Sequence, residues 1–433
     1  MLLHQVKLPH FKHSAESKTV TLPLPDKVVI SMAQHLGAPC TPTVKVGDKV
    51  KIGDVIGSSE AAMSAPVHSS ISGTVTAITD VLHISGRNMQ SVVIENDGLE
   101  EVSDSVCPPT VENREQFLQA VRNSGSIGLG GAGFPTSLKL GFDPKEKQPD
   151  FLIINGAECE PYITSDYRCF MEEGEDVLEG VLLMLKYLGI PKCIIAIEKN
   201  KPKAIEKMTR LCEKHDNITV KALKSSYPQG AEKTLIFSTT GRVVKEGTLP
   251  LASGCIVVNS STAAFIAQYI RTGMPLVKRR ITVDGNIVKK PSNFIVPVGM
   301  SIGEIVYYAE LSDKPDRIIL GGPMMGACAF DPDYPLSKTN NAVLMFADSP
   351  VYEPSECIRC GKCVRACSMN LLPTELEHAF DMRDAGRLEK LKVNLCVNCG
   401  ACSFVCPAKR NLAEKNQLAK AFLREQSTRK VRV

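Results

Sequence analysis

The chain has 433 residues, of which 23% are charged and 43% are hydrophobic, and its formal net charge is +4. This length suffices for about three or four domains of ordinary size, and the composition is that of a soluble globular protein. Trp is absent and aromatic residues make up only 5%, which excludes a broad aromatic platform for single-stranded nucleic acid, so we expect no nucleic-acid partner.

The first hundred residues predict an all-β domain. Apolar and polar positions alternate over residues 44–56 and 66–78, with Gly-Asp turn signals in the first of these stretches. This pattern resembles the barrel-sandwich fold of lipoyl and biotinyl carrier domains, whose function requires a lysine at a hairpin tip. No lysine occurs between Lys51 and Arg87. We therefore expect a docking or packing domain rather than a swinging arm.

A glycine-rich loop follows the first predicted helix. The segment Gly128–Gly133 satisfies G-x-G-x-x-G, but the dinucleotide fingerprint requires a preceding strand, and here a helix precedes the loop. Exposed backbone N–H groups of such a loop can hold a phosphate or a flat ring, with Lys139 as a nearby point charge. A loop that serves only packing explains the motif equally well.

An alternation of strands and helices comes next. Buried strands are predicted at 151–155, 193–197 and 219–222, with helices between them, which indicates a mostly parallel sheet. Ligands of such sheets bind at the carboxyl ends of the strands, and Glu158 and Glu160 follow the first strand. These carboxylates suit the hydroxyls of a ribityl or ribose chain, or alternatively cap a turn or helix.

The segment 276–288 predicts a β-hairpin whose turn is Asp284-Gly285, and a helix is predicted to begin near Ser301. We expect this part to act as a spacer that holds its neighbours in register.

Two cysteine runs near the C-terminus share the spacing C-x2-C-x2-C-x3-C. In each run the first three cysteines can ligate one iron–sulfur cube, whereas the fourth reaches the other cube. The spacing therefore predicts two [4Fe–4S] clusters, one held by Cys357, Cys360, Cys363 and Cys406 and the other held by Cys396, Cys399, Cys402 and Cys367. Gly361 and Gly400 lie inside the ligand loops, where positive φ is expected. Paired zinc sites are the alternative, but zinc has no use for two runs of identical spacing.

Residues 373–382 and 412–424 predict helices, so we expect a helical ferredoxin type of cluster domain. From Lys409 onward basic residues outnumber acidic ones, and this basic end could contact an anionic membrane surface or an acidic partner such as a ferredoxin. A solvated helix end is the alternative. No stretch of about 18 apolar residues predicts a membrane-spanning helix, and no secretory signal precedes the chain, so we expect a reducing compartment.

Four segments occur in the order and at about the separation of the NADH- and FMN-binding segments in the flavoprotein subunit of respiratory complex I. They are Gly128–Lys139, Asn155–Pro161, Tyr227–Glu232 and Val258–Thr262. Over essentially its whole length the chain resembles the C subunits of Rnf electron-transport complexes. The resemblance implies a multidomain α/β plus β fold: a barrel-sandwich, lipoyl-like domain at 1–105, a Rossmann-like FMN- and NADH-binding domain at 110–274, an SLBB β-grasp segment at 275–350, a helical two-[4Fe–4S] ferredoxin domain at 351–425 and a basic tail at 426–433.

The resemblance also implies a set of cofactor contacts. The flavin ring would be held by Gly128, Gly130, Gly131 and Gly133, its edge and side chain by Lys139, Asn155, Glu158 and Glu160, and its phosphate by Asn259 and Thr262. The adenine of NADH would stack on Phe134 and Phe142. The loop that closes over the nucleotide would contain Tyr227, Gly230 and Glu232. Ala157, Ala231 and Ser260-Ser261 depart from the complex I pattern, which weakens the inferred NADH contacts more than the FMN contacts.

The function that the resemblance implies is that of a peripheral, NAD(H)-oxidoreducing subunit of an ion-translocating ferredoxin:NAD oxidoreductase. It would carry non-covalent FMN and two [4Fe–4S] clusters, with the chemistry at FMN and no catalytic side chain. Its expected partners are NADH, the other subunits of a membrane complex and a ferredoxin-like carrier, at the cytoplasmic face of the cell membrane. The alternatives are a soluble reductase for a corrinoid partner and a non-enzymatic iron–sulfur relay with a degenerate flavin cleft.

Overall fold

A computed structural model describes residues 4–431, with side chains given through residue 427. The last two residues of the basic tail predicted at 426–433 lie outside the described residues, as do the side chains from 428 onward. The described residues form two four-stranded sheets, one three-stranded sheet and one six-stranded sheet, followed by a helical region.

The first described residues do not join the barrel sheets. Val6 forms an antiparallel bridge with Tyr227, far along the chain. Strand β1 (Val20–Thr21) pairs in parallel with Phe294 and Ile295. The beginning of the chain is therefore shared between two later parts of the fold.

Residues 27–102, the barrel region, form two small sheets around an aliphatic core. Its strands are β2 Lys27–Ser31, β3 Thr41–Pro42, β4 Lys49–Val50, β5 Val55–Ser58, β6 Val67–His68, β7 Gly73–Leu82 and β8 Asn88–Asn96. The strand orders are β2-β8-β7-β4 and β3-β5-β6. Val28 and Ile30 on β2 are fully buried and alternate with more exposed positions, because only one face of the strand meets the core.

Residues 114–272, the central region, form a parallel sheet covered by helices. Its elements are α1 Arg114–Asn123, α2 Thr136–Leu140, β9 Phe151–Gly156, α3 Ser165–Glu172, α4 Gly174–Leu188, β10 Lys192–Glu198, α5 Pro202–Cys212, β11 Ile218–Leu223, α6 Glu232–Thr240, a 3-10 helix at Pro250–Ser253, β12 Cys255–Asn259 and α7 Ser260–Thr272. The strand order is β11-β10-β9-β12, all parallel. Strand β9 is apolar without alternation, because Leu152 and Ile154 pack on one face and Ile153 packs on the other.

Residues 278–347, the mixed-sheet region, contain the six-stranded sheet. Its elements are β13 Lys278–Asp284, β14 Ser292–Pro297, α8 Ile302–Tyr307, β15 Arg317–Leu320, β16 Ala327–Cys328 and β17 Ala342–Phe346, in the order β1-β14-β13-β17-β15-β16. The tight turn predicted at Asp284-Gly285 is wrong. Strand β13 pairs with β14, and the intervening Ile287 and Val288 are buried in the core instead of forming the return strand. The helix predicted near Ser301 is confirmed, since Ser301 caps α8.

Lys338 is a buried side chain that joins three regions. Its Nζ donates hydrogen bonds to the carbonyl oxygens of Pro66 in the barrel and Gly125 after α1, both at 3.0 Å. Its backbone N–H donates to Gln34 Oε1 at 2.8 Å. Burial lowers the pKa of Lys338 to about 7. The lysine thus satisfies two buried carbonyl groups and connects the barrel, central and mixed-sheet regions by hydrogen bonds.

Residues 357–431, the cysteine region, are mostly helical. The elements are α9 Lys362–Ala366, α10 Pro373–Asp381, α11 Ala385–Lys390, a 3-10 helix at Val393–Leu395, α12 Ala401–Phe404 and α13 Leu412–Val431. Helix α10 and the start of α13 lie where helices were predicted. Leu376, Leu388 and Ala419 pack between them and α11, so the residues between the two cysteine runs form a small helical core.

Candidate functional site

The glycine loop lies against the N-terminus of α7. The Leu129 N–H donates to Thr262 Oγ1 at 3.0 Å, which fastens the loop to the helix. Gly130 faces Asn259, since a Cβ at Gly130 would lie 3.3 Å from Asn259 Nδ2. Gly131 has φ +103° and a Cβ there would meet nothing within 4 Å. The loop therefore presents open backbone at the carboxyl edge of the parallel sheet.

Two asparagines lie side by side at that edge, because Asn155 of β9 and Asn259 of β12 are register partners. Asn155 Nδ2 donates to the Gly230 carbonyl at 3.0 Å. Asn259 caps α7 and donates from Nδ2 to Asp166 Oδ2 at 2.8 Å. Asp166 also accepts from Ser261 Oγ at 2.8 Å. Sequence reasoning did not select Asp166, because only the fold brings α3 to the start of α7.

Lys139 forms the opposite wall. Its Nζ donates to Glu232 Oε1 at 3.0 Å and to the Val257 carbonyl at 3.1 Å. The Phe134 ring lies 6.0 Å from the same ammonium group and is partly exposed. The structure thus brings together the predicted residues of the glycine loop, of α2 and of the start of α6.

Phe142 is not brought to this cleft. It is 7% exposed and belongs to the core of the central region. The Arg114 guanidinium covers its ring at 4.4 Å and also donates to its carbonyl oxygen. Of the two phenylalanines assigned to adenine stacking, only Phe134 is available there in this structure.

Glu158 turns away from the glycine loop. Its residue has φ +45°, and its carboxylate accepts the N–H groups of Asp166 at 2.6 Å and Tyr167 at 3.3 Å, at the start of α3. Lys12 reaches the same loop, where its Nζ donates to the carbonyls of Glu158 at 3.0 Å and Glu160 at 2.8 Å. Burial raises the pKa of Glu158 and lowers the pKa of Lys12. Sequence reasoning missed Lys12, since nothing in its neighbourhood marks a contact made about 150 residues away.

Glu160 and Tyr227 connect the cleft to the cysteine region. The Tyr227 hydroxyl lies 2.6 Å from the Cys399 carbonyl oxygen and 3.2 Å from Glu160 Oε1. The Met324 N–H donates to Glu160 Oε2 at 3.0 Å. Tyr227 is 2% exposed, so this contact is buried. In this structure Tyr227 therefore contacts the ligand loop, rather than an open nucleotide cleft.

The swapped fourth ligands stay a prediction, with which the neighbours of two thiols are consistent. The Cys402 thiol has Cys396, Cys399 and Cys367 as electrostatic neighbours, which we call the inner set. The Cys363 thiol has Cys406 and Cys357 as neighbours. The cysteine spacing adds Cys360, and we call these four the outer set. Among residues 4–431 no three His, Cys, Asp or Glu side chains converge on one metal ion. Each thiolate of a cube binds a different iron, so a cube does not require such convergence.

The two ligand loops have the same backbone. Gly361 and Gly400 have φ of +70° and +76°, which confirms the expected positive φ at both glycines. Arg359 and Asn398, which sequence reasoning did not select, also adopt positive φ, at +55° and +53°. Their N–H groups donate to Cys357 Sγ and Cys396 Sγ, both at 3.4 Å. Backbone N–H groups aimed at the sulfurs are what a thiolate-bound cluster requires.

The two sets differ in their surroundings. Cys357 and Cys360 of the outer set are exposed, whereas every member of the inner set is at least partly buried. The inner loop packs against the central and mixed-sheet regions, because a Cβ at Gly400 would lie 2.7 Å from the Met324 carbonyl. No helix within residues 4–431 is both long and apolar enough to cross a bilayer.

The residues present fit the two kinds of cofactor that the sequence predicts. The open glycine loop leaves room for a flat ring, and α7 has 13 residues, so its N-terminus provides a favourable field for a phosphate. The buried Ser260 Oγ has no hydrogen-bond partner within the described part of the chain, at the first position of that helix. Eight cysteines in two sets of four suit two [4Fe–4S] clusters.

Three family models match successive parts of the chain. The family model described as the Nuo51 FMN-binding domain matches residues 121–268. The RnfC barrel sandwich hybrid domain matches residues 3–99, and the 4Fe-4S dicluster domain matches residues 356–410. FMN and two [4Fe–4S] clusters are therefore the cofactors that these domains bind, and the zinc alternative is excluded.

Curated relatives match over most of their length. The C subunit of the Na(+)-translocating ferredoxin:NAD(+) oxidoreductase complex of Acetobacterium woodii is 40% identical over 358 residues, which cover 81% of this chain and 81% of that protein. The C subunit of the proton-translocating ferredoxin:NAD(+) oxidoreductase complex of Clostridium ljungdahlii is also 40% identical, over 84% of this chain and 81% of that protein. The C subunit of the ion-translocating oxidoreductase complex of Rhodobacter capsulatus is 36% identical over 97% of this chain and 82% of that protein.

A solved structure shares the fold. The crystal structure of an NAD+-reducing [NiFe]-hydrogenase in the H2-reduced state aligns with a TM-score of 0.51 at 20% identity, over 72% of this chain and 63% of that chain. This likeness concerns the fold alone. Identity and coverage among the curated relatives establish that this chain belongs to the family of C subunits of ion-translocating oxidoreductase complexes.

Proposed function

We propose that this chain is the NAD(H)-oxidoreducing subunit of an ion-translocating ferredoxin:NAD oxidoreductase complex, in which it passes electrons between NADH, FMN and two [4Fe–4S] clusters. The contact between the Tyr227 hydroxyl and the Cys399 carbonyl, at 2.6 Å, carries this proposal. It joins the loop that borders the flavin cleft directly to the ligand loop of the inner cysteine set.

At the cleft, bound FMN supplies the conversion between hydride transfer and single-electron transfer. The glycine loop would leave one side of the ring accessible, because Gly131 carries no side chain and faces open space. Asn259 and Thr262, at the start of α7, would hold the phosphate. The Lys139 ammonium, held by Glu232 and the Val257 carbonyl, would face the ring edge.

The inner set would stand between the flavin and the outer set on the electron path, in either direction of electron flow. The inner loop packs on the flavin-binding side, whereas the exposed Cys357 and Cys360 face solvent and a redox partner. Ferredoxin, directly or through another subunit of the complex, is the partner at that exposed side.

The complex is membrane-associated, and this subunit lies peripherally at the cytoplasmic face. Two considerations support this location: the relatives are subunits of ion-translocating complexes, and NADH is a cytoplasmic substrate. Ion translocation then belongs to other subunits.

An anaerobic absorbance and EPR titration with NADH tests the proposal, after iron and flavin have been quantified. We expect about eight irons and one FMN per chain, bleaching of the flavin by NADH and a reduced-cluster EPR signal. A relay without a working flavin site predicts eight irons with no flavin, or flavin that NADH does not bleach. Either result would reject the proposal in favour of that relay, whose support is the departure from the complex I pattern at Ala157, Ala231 and Ser260-Ser261.

A further inference from the structure

Glu160 occupies a junction of three regions. It follows β9 of the central region, its Oε2 accepts the Met324 N–H of the mixed-sheet region at 3.0 Å, and its Oε1 lies 3.2 Å from the Tyr227 hydroxyl. That hydroxyl contacts the carbonyl of Cys399 in the cysteine region. A Cβ at Gly322 would lie 2.2 Å from Glu160 Oε2, so the chain leaves room for this carboxyl group by means of a glycine.

The hydrogen-bond geometry links the proton of Glu160 to the contact between Tyr227 and Cys399. A tyrosine hydroxyl has one hydrogen, and a carbonyl oxygen has none. The oxygen–oxygen distance of 2.6 Å between Tyr227 and Cys399 therefore requires that tyrosine donates its hydrogen to that carbonyl. The longer contact, between the tyrosine hydroxyl and Glu160 Oε1, shares that same hydrogen when Glu160 is a carboxylate, and can use a hydrogen of Glu160 when the carboxyl is protonated. Protonation of Glu160 therefore leaves the tyrosine hydrogen wholly to the Cys399 carbonyl.

The environment of Glu160 brings both protonation states within reach near neutral pH. Burial raises the pKa of Glu160 to about 7. The Met324 N–H, the Tyr227 hydroxyl and the Lys12 ammonium favour the carboxylate and lower this pKa, but their combined effect is smaller than that of burial. The other ionisable neighbour is Cys159 on the same loop. Lys12 is the one cation among these groups, and its ammonium is already shared by backbone carbonyls of the loop.

We propose that Glu160 is a proton-holding positioning residue for the inner cluster: its carboxyl is protonated when that cluster is reduced and releases the proton when the cluster is oxidised. The inference rests on the proposed function, since it takes the inner set as a cluster that cycles by one electron. On oxidation the cluster gives one electron to the next carrier, the O–H bond at Glu160 Oε1 breaks, and the proton passes to water. On reduction one electron and one proton return.

The physical reason is charge compensation. Each electron added to the inner cluster adds one negative charge beside Cys399, and a carboxylate nearby would be repelled by it. Protonating Glu160 removes that repulsion, and it keeps the Tyr227 hydroxyl free to donate to the ligand loop. Reduction of the cluster and protonation of Glu160 therefore favour each other, and by linkage the reduction potential depends on pH.

The test is an EPR-monitored redox titration of the iron- and FMN-loaded chain, with dithionite and mediators instead of NADH, between about pH 6 and about pH 8. We expect the midpoint potential of the inner cluster to fall as pH rises in the wild type. In Glu160→Gln the potential should be independent of pH, because the amide nitrogen donates to Tyr227 and the amide oxygen accepts from Met324, but neither titrates. The inner signal is identified by its loss in Cys399→Ser.

Glu158→Gln is the matched control. It removes a buried carboxylate from the same loop whose hydrogen bonds go to α3 and not to the ligand loop. Its inner-cluster potential should keep the wild-type pH dependence. A flat wild-type profile, or a slope that Glu160→Gln retains, would overturn the inference.

A second measurement serves in case Glu160→Gln does not load its clusters. In the wild type, the reduced-minus-oxidised infrared spectrum should show a positive carbonyl band of a protonated carboxyl that shifts in D2O. A spectrum without that band would overturn the inference. Since electrons come from dithionite, these results stand even if NADH fails to bleach the flavin, an outcome that would count against the proposed function alone.

Discussion

The two ligand loops of the cysteine region have one backbone and two environments. Both turn through positive φ at equivalent positions, Arg359 with Gly361 and Asn398 with Gly400. Yet the outer loop is exposed, whereas the inner loop is packed against Met324 and Tyr227. The cysteine spacing thus determines how a cluster is held, and the residues between the cysteines determine what surrounds it.

The charges follow the same division. The outer run carries cations at three positions where the equivalent residues of the inner run are neutral: Arg359, Lys362 and Arg365 against Asn398, Ala401 and Phe404. Cations and solvent favour the extra electron of a reduced cluster, whereas burial disfavours it. The inner set has the Lys420 ammonium, which donates to the Cys396 carbonyl at 2.9 Å, but its cysteines are more buried. We therefore expect the outer cluster to have the higher reduction potential.

The largest effect should come from removing a ligand. Cys399→Ser should lose the inner cluster, which lowers iron from about eight to about four per chain while FMN stays bound, and it should abolish reduction of the outer cluster by NADH. Cys360→Ser should also lose about four irons, yet NADH should still reduce its inner cluster. Iron and flavin contents and EPR spectra of the NADH-treated variants test these expectations. NADH reduction of the outer cluster in Cys399→Ser would contradict the inner-to-outer order.

A weaker effect, on FMN affinity, is expected from substitution of Thr262 at the start of α7. Thr262→Val removes the hydroxyl that accepts the Leu129 N–H and so releases the glycine loop from α7. FMN should then bind about 5- to 30-fold more weakly, a loss of about 1–2 kcal/mol, with iron unchanged. Fluorescence titration of the flavin-free chain measures this. Thr272→Val, at the exposed end of the same helix, is the control. Undiminished FMN affinity would show that the phosphate site lies elsewhere.

The charge difference can be exchanged between the loops. Arg359→Asn should lower the outer potential and Asn398→Arg should raise the inner one, each on the order of tens of millivolts. Asn also tolerates the positive φ at position 359. Redox titrations at low and high salt test this, and the shift at the exposed outer loop should shrink more with salt. Equal shifts of both clusters by either variant would show that the loops share one environment.

The smallest effect concerns a hydrogen bond to sulfur. Asn416 Nδ2 lies 3.9 Å from Cys396 Sγ, and such donors stabilise the reduced state of a cluster. Asn416→Ala should lower the inner potential by less than Arg359→Asn lowers the outer one. Gln417→Ala, the exposed neighbour on α13, should leave both potentials unchanged. If Asn416→Ala changed only the potential of the outer cluster, that would contradict the contact between Asn416 and Cys396.

Local patterns predicted much of this protein. Cysteine spacing predicted the glycines with positive φ, and the apolar run at Phe151–Asn155 predicted the central strand, because both depend on residues close in sequence. The ligand sets stay a prediction. The matched family domains agree with the predicted fold class and cofactors.

Contacts between distant segments could not be predicted. Lys12 and Asp166 lie in unremarkable stretches, and only packing brings them to the cleft edge. Phe142 satisfies a family motif, yet Arg114 covers its ring in the core. Similarly, the turn signal at Asp284-Gly285 was overruled by burial of the residues that follow it.

The pairing of β1 has a consequence for biosynthesis. Val20 leaves the ribosome roughly 270 residues before Phe294, its partner in the six-stranded sheet. At about 5–20 residues per second, that interval is on the order of tens of seconds. During this interval strand β1 has no sheet partner. Val6 likewise has no bridge partner until Tyr227 has been synthesised. Pairing of the N-terminal segment is therefore a late event in the folding of the nascent chain.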